Sequence, residues 1–312
     1  MTLPTPPAIT FVGIGAIGLP MATQLARAGA DVTAVDTDPD RLQHAAGEGM
    51  RTTTDTASVD EAEAVMCMVA TAEQLRTITL GPDGVLARMT PGSTLVVMST
   101  VGPDAVTELV AGAPEGVSVL DVPVTGGVSR ARTGELLLFG SGPPEALARL
   151  RPALDALGQV IHCGAEAGRG QAMKAVNQLL CSVHLVAAAE ALALAEALGL
   201  DPAEVLPAVA GGAGGSWMLS DRGHRMLQGP DTEVTSAVSI FVKDSGLVAD
   251  VAATAGLDTP LLEAAAARFR AAADAGLAEQ DDSQVIRTYC ALTPTSFAHN
   301  DPATDLTTGD TR

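Results

Sequence analysis

"AITFVGIGAIGLPMATQLARAGADVTAVD", residues 8–36, decides the fold. It reads as an apolar strand, a glycine turn, a helix closed by Gly29, and a second strand ending on an acid. G-x-G-x-x-G falls at Gly13, Gly15 and Gly18. Gly13 permits the tight turn, and Gly15 lets the backbone approach a pyrophosphate held on the helix N-terminus. Gly18 lets helix and strand pack closely. Alone the pattern is weak, because a glycine-rich turn with no ligand carries it too. Here it follows the first strand, and Asp36 ends the next one, 18 residues past Gly18. That context points to a dinucleotide site. Its expected residues are Gly13, Ile14, Gly15, Ala16, Ile17 and Gly18 in the turn, with Asp36 and Thr37 at the adenosine ribose. A carboxylate at Asp36 accepts hydrogen bonds from ribose hydroxyls and repels a 2′-phosphate. The nearest following arginine is Arg41, so NAD is expected in preference to NADP. Asp38 is expected to cap the next helix.

The same rhythm continues outward. "AVMCMVA", "STLVVMST", "VSVLDVPV", "GELLLFG" and "QVIHCG" read as further strands, separated by helical stretches such as "GPDAVTELVAG". Strand and helix in alternation predict an α/β domain, doubly wound around a mostly parallel sheet. The rhythm stops near Gly164. Residues 170–200 carry no strand signal and read as one helix, about 45 Å long if continuous. It is apolar on most sides, so it is expected to be the axis of a second, all-α domain. "SAVSIFVKDSGLVADVAATAGL" and "TPLLEAAAARFRAAADAGL" read as two more helices. The expected divisions are a flexible start (1–7), a dinucleotide-binding domain (8–165), a helical substrate and oligomerisation domain (166–292) and a disordered polar tail (293–312).

The bulk numbers narrow the function. The 312 residues carry a net charge of −19, which argues against nucleic acid and acidic membrane surfaces as partners. The four cysteines fit no zinc pattern and read as reduced thiols of a cytoplasmic protein; no metal site is expected. "MTLPTPPAIT" lacks the basic and apolar regions of a signal peptide. The uncharged run 175–189 contains Asn177, Gln178, Ser182 and His184, so it reads as a buried helix and not a membrane span.

Of 18 basic residues only Lys174 and Lys243 are lysines. Arginine stays charged at any working pH, whereas a lysine can be tuned to exchange a proton. Oxidising an alcohol sends a hydride to the nicotinamide, and the hydroxyl proton needs another acceptor, which a neutral Lys174 would be. Burial and a cationic nicotinamide would both favour the neutral amine. One turn on, Asn177 and Gln178 can hold the substrate or orient the amine, and Gln178 at i+4 shares the Lys174 face. "DVPVTGG", residues 121–127, ends a strand and offers the Thr125 hydroxyl with Gly126 and Gly127 N–H groups, a set suited to a carboxylate. An ordinary strand-to-loop turn, and a surface lysine with no role, would read the same from spacing alone.

"GIGAIGLPMA", "VVMSTVGP", "DVPVTGG", "GRGQAMKAVNQ" and "FVKDSGL" stand in the order found in the β-hydroxyacid dehydrogenases, which the chain resembles over residues 8–290. The resemblance implies a Rossmann domain followed by an all-helical domain, and a dimer or tetramer formed through the latter. It implies that Lys174 is the catalytic acid/base and that Thr125, Gly126 and Gly127 hold a small carboxylate substrate. Thr100 would lie near the nicotinamide, and Lys243 would contact the cofactor. Gln178 stands where the family has Asn, one methylene shorter. With "GSWMLSDRGHRML" and "EQDDSQVI", this resembles the L-threonate dehydrogenase branch, which oxidises a four-carbon sugar acid with NAD. The alternatives are 3-hydroxyisobutyrate dehydrogenase, tartronate semialdehyde reductase, an NADP-dependent imine reductase, or a non-catalytic NAD-binding protein. Lys174 and Asp36 count against the imine reductase. His184 is read as a core histidine. Trp217 could wall the substrate pocket or anchor its glycine-rich loop.

Overall fold

The structure is a computed structural model and describes residues 7–60 and 62–289; most of the expected flexible start and the whole expected tail lie outside these. The first part of the chain runs β1 (Ala8–Val12), α1 (Gly18–Arg27), β2 (Asp31–Val35), α2 (Pro39–Gly47), β3 (Arg51–Thr53), β4 (Ala64–Cys67), α3 (Ala72–Thr79) and α4 (Val85–Arg88). It continues with β5 (Thr94–Val97), α5 (Pro103–Gly112), β6 (Ser118–Asp121), β7 (Val124–Thr125), α6 (Gly127–Thr133), β8 (Leu136–Ser141), α7 (Pro144–Asp155) and β9 (Gly158–Gly164). Five helices follow: α8 (Arg169–Ala197), α9 (Pro202–Ala210), α10 (Trp217–Gln228), α11 (Val238–Thr254) and α12 (Pro260–Ala272).

The strands form one sheet in the order β3-β2-β1-β4-β5-β6-β8-β7, with β9 beside β8. β1 to β6 are parallel. β8 runs antiparallel to β6 and β7, a direction that its apolar run does not reveal. The link between β7 and β8 holds only the seven-residue α6, short of the dozen or more residues of a parallel crossover. The central strands are buried on both faces, which explains their continuous apolar runs. Phe11, Met66 and Val96 belong to the core on one face; Val12, Val65, Cys67 and Leu95 belong to the core on the other. Burial pushes the Cys67 thiol up to about 12, so it stays protonated and inert.

By packing, the chain falls into two units. One runs through Leu180 and takes in Lys243–Pro260; the other comprises Cys181–Val242 and the chain from Leu261. The first turns of α8 and most of α11 therefore belong with the sheet. The other unit is helical, as the sequence led us to expect. Its core gathers Leu185, Leu192, Leu206, Met218, Phe241 and Phe269, the two phenyl rings 4.9 Å apart. It also buries charge: Arg222 Nε donates to Asp282 Oδ1 at 2.9 Å. Among the described residues α8 alone has the length and apolarity of a membrane span. Its buried residues Gln171, Lys174 and Gln178 in one unit, and Leu185, Ala189 and Leu192 in the other, make it a core helix.

Candidate active site

The glycine turn is built as a cradle. Gly13 has φ +89°, and a Cβ there would lie 2.6 Å from the Met68 carbonyl oxygen. A Cβ on Gly18 would lie 2.0 Å from the Gly13 carbonyl oxygen. Gly15 differs, since its Cβ would meet nothing nearer than Arg41 Nη1 at 3.9 Å. Two glycines are thus demanded by the fold, and the third leaves open space above the turn. No side chain caps the start of α1 and its first turn has no acid. Leu19 N and Met21 N already donate to Gly15 O and Ile17 O, and Pro20 has no N–H, so it is the glycine turn itself that faces an anion. A dinucleotide pyrophosphate fits this arrangement.

Asp36 fastens the end of β2 to that turn. Its Oδ2 accepts from Ile14 N at 2.9 Å and its Oδ1 from Asp38 N at 3.0 Å. Arg41 lies 3.6 Å from Asp36 Oδ1 and 3.2 Å from Asp38 Oδ2. Two carboxylates therefore neutralise the arginine nearest the ribose position, which disfavours a 2′-phosphate there. Asp38 caps α2 as expected, accepting from Asp40 N and Arg41 N. A cavity of about 570 Å³ opens beside the turn, with Ile14, Gly15, Leu19 and Arg41 in its wall.

A second constellation lies in the same unit. Lys174 is buried in the first turns of α8, and its Nζ donates to Gln178 Oε1 at 2.8 Å. Gln178 Nε2 donates to Asp244 Oδ2 at 2.5 Å. The other Asp244 oxygen lies 3.0 Å from Lys243 Nζ, which donates to Ala70 O at 2.9 Å and Thr100 O at 3.3 Å. Asn177 Nδ2 donates to Gln178 Oε1 at 3.0 Å and to Thr125 Oγ1 at 3.3 Å. Lys174, Asn177, Gln178, Thr125 and Asp244 are thus joined in one hydrogen-bonded group, which the Asp244–Lys243 ion pair extends to the Thr100 carbonyl. Gly126 (φ +130°) and Gly127 (φ +69°) follow Thr125 and open α6, and a Cβ on Gly127 would meet nothing within 4 Å.

Gln178 has its carbonyl engaged by Lys174 and Asn177 and one N–H of its NH2 by Asp244. Asp244 stands next to Lys243 in the sequence. It does meet Lys243, but its bond to Gln178 comes from a pairing 66 residues apart that no local pattern shows. Its only signal was adjacency to Lys243. His184 is half-buried on α8 in the helical unit. Trp217 begins α10 there, 43% exposed, with the Arg222 guanidinium 5.7 Å from its ring centroid. Among the described residues no cluster of metal-ligating side chains forms.

The chain is similar to known proteins over most of its length. The NAD-binding domain of 6-phosphogluconate dehydrogenase matches residues 8–165. The NAD-binding family of NADP-dependent 3-hydroxyisobutyrate dehydrogenase matches residues 168–289. L-threonate dehydrogenase of Cupriavidus necator is 38% identical, covering 90% of this chain and 95% of its own. The crystal structure of 3-hydroxyisobutyrate dehydrogenase from Salmonella typhimurium is 35% identical with a TM-score of 0.82, over 90% of this chain and 99% of that one. The Mycobacterium tuberculosis 3-hydroxyisobutyrate dehydrogenase solved with L-serine is 33% identical with a TM-score of 0.79, over 92% and 100%. The chain belongs to the NAD-binding hydroxyacid dehydrogenase family typified by 3-hydroxyisobutyrate dehydrogenase.

Proposed function

We propose that the protein oxidises a four-carbon sugar acid, L-threonate or a close relative, at its 2-hydroxyl, with Lys174 as general acid/base. The observation that carries this is the buried Lys174 amine held 2.8 Å from Gln178 Oε1. NAD, when bound, supplies the hydride acceptor. A neutral amine gives one N–H to Gln178 and keeps its lone pair for the substrate hydroxyl proton. Thr125 Oγ1 already accepts from Asn177, so its own proton is free to point at the substrate carboxylate beside the Gly126 and Gly127 N–H groups. Lys243, tied to Ala70 and Thr100, is the cofactor-side amine. The names of the L-threonate dehydrogenases that it resembles support the substrate class.

A second substrate, 3-hydroxyisobutyrate, would use the same lysine and the same carboxylate turn. NADH formation from L-threonate, D-erythronate, D-glycerate and 3-hydroxyisobutyrate, with NAD and with NADP, separates these readings. Binding of NAD with no turnover of any acid would favour a non-catalytic protein. We place the protein in the cytoplasm, in keeping with the reduced thiols that its cysteine spacing leads one to expect. Met173, Val176, Leu180, Leu194 and Leu198 form an exposed apolar stripe along α8, which supports a homodimer or homotetramer.

A further inference from the structure

Gln171 lies one helical turn before Lys174 and has no place in the chemistry above. It is 2% exposed, and its amide makes four hydrogen bonds. Nε2 donates to Ser99 O at 3.0 Å and Asp121 Oδ1 at 2.9 Å. Oε1 accepts from Val101 N at 3.0 Å and Gly102 N at 3.1 Å. Every donor and acceptor of the amide is used, and the partners leave it only one orientation. Glutamate would lack the donors, and asparagine would lack the reach.

Asp121 completes the clamp. It is fully buried at the end of β6, where Oδ2 accepts from Gln171 N at 2.9 Å and Ser141 Oγ at 3.1 Å. Gly170 N in turn donates to Ser141 Oγ at 2.9 Å. Burial raises the Asp121 carboxyl above its ordinary value despite these donors. The helix start is pressed hard onto the sheet here. A Cβ on Gly170 would lie 2.4 Å from Phe139 O and 2.9 Å from Asp121 O.

The clamp joins three chain segments that each carry a proposed functional residue. Ser99, Val101 and Gly102 flank Thr100. Asp121 precedes Thr125 by four residues. Gln171 precedes Lys174 by three, about 4.5 Å along the helix. We propose that Gln171 and Asp121 are a positioning pair, which sets where Lys174 stands relative to the Thr100 and Thr125 turns. This rests on Lys174 being the acid/base. Displacements of about 1 Å in such a group can cost about 100-fold in rate.

The test compares wild type, Gln171→Glu, Gln171→Asn and the double variant Gln171→Glu/Asp121→Asn. Gln171→Glu sets two carboxylates against each other; adding Asp121→Asn restores a donor to face the introduced acceptor. We expect kcat to fall about 10- to 100-fold in Gln171→Glu while NADH affinity, read by fluorescence, stays within about threefold, and to recover in part in the double variant, where the glutamate still faces Ser99 O. Gln171→Asn, which keeps the amide and loses only reach, should show the same split and serves if the carboxylate variant does not fold. A single variant within about threefold of wild-type kcat overturns the proposal. So does a double variant no better than Gln171→Glu, or a loss of kcat and NADH affinity together in step with the folded fraction. A readout without turnover separates this from failure of the functional reading. The chain has only two lysines, so lysine-selective NMR reports Lys174 and Lys243 alone. The Lys174 side-chain resonance should shift in Gln171→Asn even if no hydroxy acid proves to be a substrate; an unmoved resonance overturns the clamp.

Discussion

Gln178 Nε2 donates to Asp244 Oδ2 at 2.5 Å, and this bond decides which way the Gln178 amide faces. A carboxylate only accepts, so the NH2 end must turn to Asp244 and the carbonyl end to Lys174. Asp244→Asn keeps an acceptor but loses the charge, so the NH2 end is held less firmly while Lys174 and Asn177 still donate to the carbonyl end. Hydrogen bonds involving a charged group contribute about 1.5–3 kcal/mol, so kcat should fall about 10- to 100-fold in this variant. Steady-state kinetics check it, with NADH affinity as the control. An unchanged kcat would mean that Asp244 does not orient the amide.

The three turn glycines should separate by function. Gly15→Ala should fold with little change in Tm, because the nearest atom to its Cβ is Arg41 Nη1 at 3.9 Å, yet NADH binding should weaken at least about tenfold as the methyl enters the pyrophosphate space. Gly18→Ala should lose the fold, since its Cβ would overlap the Gly13 carbonyl oxygen. Thermal melts and NADH titrations on both variants read the contrast.

Asp36→Ser should raise KM for NAD about tenfold and bring NADP into measurable use. It removes the proposed ribose partner and one of the two carboxylates that neutralise Arg41. Kinetics with both cofactors check this. Continued exclusion of NADP would show that Arg41 cannot reach the 2′-phosphate.

The helical unit should depend on its buried ions. Burial raises the Asp282 carboxyl, and Arg222 opposes this by attraction and hydrogen bonding. Arg222→Ala leaves that acid unpartnered by its main cation, at a cost of about 3–5 kcal/mol near neutral pH. The sign with pH follows from the raised value: the folded variant holds the proton above the unfolded carboxylate range. The deficit is therefore smallest at low pH and grows as pH rises through the folded value. Asp281 behaves oppositely. Burial pushes it up, but Ser283 and Arg225 outweigh that and leave it lowered. Its contribution is complete above the ordinary carboxylate value and is lost as pH falls through the folded one. Denaturant melts across pH check both signs.

The parts of this fold that were legible in sequence are those whose physics is local. Strands buried on both faces read as apolar runs, the Gly13–Gly15–Gly18 turn carries its own punctuation, and Asp38 caps the helix that it precedes. The reversed direction of β8 was hidden, because direction depends on the length of a connection and not on the apolar pattern. β3 escaped notice at three residues, and α10 lay behind a glycine-rich loop. The lysine and the substrate turn could be named one by one. Their coupling through Gln171, Asp121 and Asp244 spans 50 to 72 residues of sequence and becomes visible only after folding.

The most direct test of the central claim is NADH formation from L-threonate by wild type and Lys174→Ala side by side, with NADH binding measured on both. The account predicts turnover by wild type with NAD and a kcat lower by about 100- to 10,000-fold in the variant, at unchanged NADH affinity. A variant that keeps kcat within about tenfold of wild type would contradict Lys174 as the acid/base.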